Sequence, residues 1–159
     1  MTLKDTLTRL STQAKREAGI KRDAQAWVQA TAALNEHLVQ RVLSQYIADG
    51  LLAVERTNAS RTDKIGSAIH TYTIEELRLK SGGVALLLEN KGMAVTGALG
   101  RIDVSRRGYT ARRYYLLWNG NPAPKSGWEI ADINSPGKKP EPFSKSLFET
   151  VLDRLIRQG

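Results

Sequence analysis

The stretch from Leu99 to Trp118, LGRIDVSRRGYTARRYYLLW, constrains the fold more than any other part of the chain. Ile102 and Val104 alternate with Arg101 and Asp103, the period-two pattern of a half-buried strand. Ser105, Arg106, Arg107 and Gly108 then supply turn chemistry, and Gly108 can take positive φ at no steric cost. Tyr114 to Trp118 is apolar at every position, so both of its faces are read as covered, mid-sheet. A central hairpin is therefore predicted. It carries five arginines (Arg101, Arg106, Arg107, Arg112 and Arg113) against one acid, Asp103.

The residues on either side extend this hairpin into an antiparallel meander of five strands. Thr71 to Lys80 is rich in β-formers and ends on alternating Leu77 and Leu79, with a turn at Ser81-Gly82-Gly83. Val84 to Leu88 is a continuous apolar run, and Glu89-Asn90-Lys91-Gly92 reads as a second turn. Met93 to Val104 reads as a longer strand in which Gly97 and Gly100 mark a bend or a close backbone approach that can curl the sheet. The strand 111–118, the loop 119–127 and a fifth strand, Trp128 to Ile133, complete it. Trp118 and Trp128 are expected to anchor the core beneath the sheet; the alternative is an aromatic ligand pocket at the loop between them.

Helical periodicity lies outside the meander. Leu3, Leu7, Leu10, Ala14 and Ala18 form one stripe over Thr2–Ala18, with Thr2 and Asp5 as a capping pair and Gly19 as a stop. From Lys21 to Asp49 a second stripe runs through Trp27, Leu34, Leu38, Val42 and Tyr46, with Asp23 as a cap, room for a break near Asn35, and Gly50 as a C-terminal stop. Ser144 caps a closing helix over 144–157 whose apolar face is Leu147, Val151 and Leu155. The segment 57–67 is polar and aperiodic and is read as a loop; 134–142 is read as a proline-rich connection. The expected architecture is α+β: N-terminal helices over 1–50, an antiparallel sheet over 68–133 and a C-terminal helix on the sheet. These form a single domain, 1–159, and Arg78, Lys80, Arg101 and Asp103 lie on the uncovered sheet face.

With no cysteine, disulfides, thiolate metal sites and cysteine nucleophiles are excluded, which fits a cytoplasmic location. No apolar run is long enough to cross a bilayer, and the N-terminus has no signal-peptide pattern, so no membrane association is expected. The net charge of +8 draws polyanions or acidic partners. His37 and His70 have no carboxylate at ligand spacing, His37 is read as a helix-surface or packing residue, and G-x-S-x-G and phosphate-loop motifs are absent. Neither a metal, a cofactor nor a catalytic residue is expected.

Two short likenesses stand beside this reading. Ile47 to Arg56, a helix ending in Asp49-Gly50 and entering an apolar strand, resembles the passage from recognition helix to wing in winged helix-turn-helix domains. Glu89-Asn90-Lys91 has the E-x-K form of metal-dependent nucleases of the restriction-endonuclease type. That resemblance implies a partner acid among Glu75, Glu76 and Asp63. The main expectation is a basic, non-enzymatic protein contacting DNA or RNA through Arg101, Arg106, Arg107, Arg112 and Arg113, with Tyr109 or Tyr114 to stack on a base and Lys138-Lys139 joining if their loop folds toward the hairpin. The alternative is a protein-interaction module, an adaptor or immunity-type inhibitor, binding an acidic protein; a Mg²⁺-dependent nuclease-like enzyme ranks below both.

Overall fold

The structure is a computed structural model; it describes residues 2–158 except Gly66, Ser67, Ala94 and Thr96, and the side chains of 16–23, Ile65, Ala68 and Thr110 fall outside the description too. The candidate cap Asp23 and the stripe residue Ala18 therefore lie outside the described side chains. The fold is α+β; among the described residues the antiparallel sheet has seven strands in chain order rather than five. The strands are β1 (Ala53–Ile65), β2 (Ala68–Ser81), β3 (Val84–Gly92), β4 (Gly100–Arg106), β5 (Tyr109–Trp118), β6 (Trp128–Asp132) and β7 (Glu141–Pro142).

The two extra strands lie where polarity suggested loops. Residues 57–65 belong to β1, paired without a register break from Ala53↔Lys80 to Ile65↔Ala68. This strand has no apolar alternation because it is the sheet edge and most of its side chains face water. A polar edge is how sheets discourage pairing with other chains. The second is β7, within the proline-rich connection, where Glu129 pairs with Pro142. Residues 89–92 are not a turn: β3 runs through them, Asn90 is buried and its Oδ1 accepts the Gly92 N–H at 2.9 Å. The crossing to β4 spans 93–99, so β4 is shorter than expected.

The N-terminal helices also differ from expectation. One helix, α1 (Leu3–His37), runs through Gly19, with its capping box at Thr2 and Asp5 as predicted. Its backbone stays helical at Asn35, whose Nδ2 donates to Glu75 Oε1 at 3.1 Å. Beside it Arg56 holds both Glu36 and Glu75, tying α1 to the first hairpin. The chain then makes a π-helical segment, η1 (Leu38–Val42), in which the Leu43 N–H donates to the Leu38 carbonyl at 2.8 Å. The extra residue per turn shifts the apolar stripe by one position. Val42 and Leu43 are both buried, and the predicted Tyr46 is 37% exposed. A short α2 (Ser44–Ala48) follows, and Gly50 takes φ 73° at its end. Because α1 is unbroken over 33–36, the turn that a winged helix-turn-helix requires is absent, and that likeness fails. Leu3, Leu7 and Leu10 do not cover the sheet: they are 74%, 55% and 53% exposed.

The core lies between one sheet face and the helices α1, η1 and α3 (Lys145–Arg157). Strands β3, β4 and β5 supply Leu86 and Leu88, Ile102 and Val104, and Tyr114 and Leu116; α3, capped by Ser144 Oγ on the Leu147 N–H, supplies Phe148, Val151, Leu152 and Leu155. Trp27 sits between Trp118 and Trp128, ring centroids 5.5 and 5.7 Å away. Both sheet tryptophans are buried, so they anchor the core as expected.

Candidate functional site

The β4–β5 hairpin turns at Arg107-Gly108, with Gly108 at φ 85°. Pairing is regular from Gly100↔Trp118 to Ser105↔Arg113 and then slips to Arg106↔Tyr109, so 110–112 bulge from β5. The slip frees the end of the hairpin from strict alternation.

The five arginines divide into two sets. Arg101 and Arg113 lie on the sheet face away from the helices, with Asp103 between them. Arg101 Nε is 2.8 Å from Asp103 Oδ1, Arg113 Nη1 is 3.9 Å from Oδ2, and the Arg101 guanidinium lies 4.1 Å over the Tyr115 ring. These covers leave the Asp103 side chain 3% exposed. Burial pushes the Asp103 carboxyl above its ordinary value, and Arg101, Lys91 and Arg113 pull it part of the way back.

The second set lies at the turn. Arg106 Nη1 donates to the Ile156 carbonyl near the end of α3 at 2.7 Å, and its guanidinium covers Tyr109 at 4.2 Å. Tyr109 is 44% exposed, with its ring held by this contact, whereas Tyr114 is buried in the core and offers no face for stacking. Arg107 and Arg112 are exposed and form no ion pair among the described residues. The loop 133–140 folds back beside β5: Lys138 and Lys139 share a narrow cleft with Tyr114, Asp132 and Arg154. Arg154 had no signal in the sequence beyond a favourable position in the last turn of a helix. Only the docking of α3 brings it to Lys138.

The E-x-K residues take a different arrangement. Glu89 pairs across the ladder with Asp103, and Glu76 accepts the Asn90 N–H at 2.6 Å. Asp63 is buried elsewhere, accepting Tyr72 Oη–H at 2.7 Å and the Met93 N–H at 3.0 Å. No group of three or more histidine or acidic side chains that could hold a metal occurs among the described residues. His37 is half-buried beside Phe143, ring centroids 6.1 Å apart. No helix among the described residues is long and apolar enough to cross a membrane.

Comparison with protein-family models, curated proteins and solved structures finds no match to this chain.

Proposed function

We propose that the protein is a non-enzymatic binder of nucleic acid, and that the end of the β4–β5 hairpin is its contact surface. The observation that supports this most directly is the exposure of Arg107 and Arg112, without acidic partners among the described residues, around a propped, half-exposed Tyr109. Guanidinium groups bind phosphate oxygens in bidentate fashion, and an exposed tyrosine ring offers a stacking platform for an unpaired base. Arg106 steadies that ring; Lys138 and Lys139 lie beside β5 in a cleft that also holds Asp132 and Glu141, so they add less to the basic surface than the turn arginines do. Arg113 is half-exposed and contributes from the other face; Arg101 acts by holding Asp103 and Tyr115 in place.

The test is fluorescence anisotropy with labelled single- and double-stranded DNA and RNA of mixed sequence. Neutralising about five phosphates gives a slope of log K against log salt near −4. Arg107→Ala with Arg112→Ala should reduce that slope by about 2. Absence of binding to all four probes at low salt would end this reading. An acidic protein recovered in its place would favour the adaptor or inhibitor alternative.

A further inference from the structure

A second basic site lies at the opposite end of α3 from the hairpin contact. A surface cavity of about 270 Å³ is lined by His37, Arg41, Val42, Lys125, Phe143, Ser144 and Lys145. Four separate elements meet there: the end of α1, the π-helical segment, the loop before β6 and the start of α3. Three permanent cations and a histidine line it, and no acid does. Arg41 and Lys125 form no ion pair among the described residues, and Lys145 has only Glu149 at 3.9 Å. All three cations are exposed at the cavity, and an anion entering among them is attracted by each.

The backbone adds an independent sign. Arg41 sits inside the five-residue π-helix, and His37 immediately precedes it. A π-segment in a helix costs hydrogen-bond geometry and is frequently found at functional sites. Here it turns Arg41 to the cavity while Leu38 and Val42 stay in the core. Burial first, then Lys125 and Arg41, hold the His37 imidazole below its usual range. Its ring meets Phe143 edge-on at 67°, giving the cavity an apolar wall beside its charged one.

We infer that this cavity binds a small phosphomonoester, its phosphate held by Arg41, Lys125 and Lys145 and its organic part resting on Phe143. A dianionic phosphate matches several convergent cations better than a carboxylate does, and arginine engages it through two parallel N–H donors. The cavity volume is sufficient for one phosphate with a single-ring substituent. The site is separate from the hairpin turn, because the 13 residues of α3 put about 18 Å between Lys145 and Arg157.

The experiment is a ¹H–¹⁵N NMR titration of the full chain with phenyl phosphate above pH 7, where the monoester is mostly dianionic. Saturable shifts are expected at the amides of His37, Arg41, Lys125 and Lys145, together with an upward move of the His37 ring titration. Arg41→Ala combined with Lys125→Ala should weaken binding by about tenfold or more while the remaining spectrum stays native. Lys4→Ala with Arg9→Ala, the same charge removed elsewhere, should change it by less than about twofold. The proposal is overturned if no saturable shift appears by about 10 mM, if the Lys4 and Arg9 pair weakens binding equally, or if benzoate binds as tightly as phenyl phosphate. None of these outcomes depends on whether the hairpin binds nucleic acid.

Discussion

Gly100 has no room for a side chain: a Cβ there would stand 2.3 Å from the Trp27 ring. That ring is wedged between Trp118 and Trp128 and cannot retreat. Gly100→Ala should therefore cost about 1–3 kcal/mol through overpacking, seen as a lower urea midpoint with little change in slope. Gly97→Ala meets nothing within 4 Å, but Gly97 takes φ 79°, so any cost there is backbone strain alone. Asp103 poses a different question. Its folded value lies above the ordinary 3.8, so it binds a proton more tightly folded than unfolded. Its stability contribution is thus complete below the ordinary carboxylate range and is lost as pH rises through the raised folded value. Compared with Asp103→Asn, the wild-type protein should gain stability as pH falls from neutral toward about 4. Chemical denaturation across that range would show it, and parallel curves for the two proteins would refute the burial argument.

At the scale of the element, periodicity was a good guide wherever a segment packed as a regular helix or strand on one face of the core. Ser144 and the Leu147, Val151, Leu155 face placed α3 at its observed limits, and Gly82-Gly83 and Gly108 marked turns that are present. The failures share a cause. Thr57 to Lys64 belongs to an edge strand with little apolar burial, so its composition resembles a loop. Glu89 to Gly92 looks like a turn because its polar groups find partners visible only in three dimensions, as the Asn90 N–H does in Glu76 and the Gly92 N–H in Asn90 Oδ1. The candidate site was legible as a charge cluster, but its division was not: Asp103 captures Arg101 and part of Arg113 only because alternation puts all three on one face. The π-segment was invisible for the same reason, and it gives a direct test. Leu43, fully buried past the extra residue, should cost about 2–5 kcal/mol when changed to alanine. Tyr46, which regular spacing would bury in its place, should cost about 1 kcal/mol or less. The reverse order in thermal melts would mean that the helix continues without the π-turn.

Across the whole molecule the charge of +8 is unevenly compensated. Arg56, Arg78, Lys80, Arg101, Arg113, Lys145 and Arg157 each lie within 4 Å of an acid, whereas Arg107 and Arg112 do not among the described residues. A protein this basic would attract a polyanion weakly through its field alone, and that background has to be separated from a contact surface. Lys4 and Arg9 supply the comparison. Both are exposed on the first turns of α1, far along the helix from its packed half, and form no ion pair among the described residues. Removing either pair of side chains lowers the net charge by the same amount. If the hairpin makes the phosphate contacts, Arg107→Ala with Arg112→Ala flattens the salt dependence by about 2, while Lys4→Ala with Arg9→Ala leaves it within about 0.5. The difference arises because counterion release counts phosphates actually neutralised, whereas a diffuse field is screened within about 10 Å at 0.1 M salt. Equal losses from the two pairs, measured by anisotropy on one probe, would assign the affinity to net charge and leave the hairpin without a specific role.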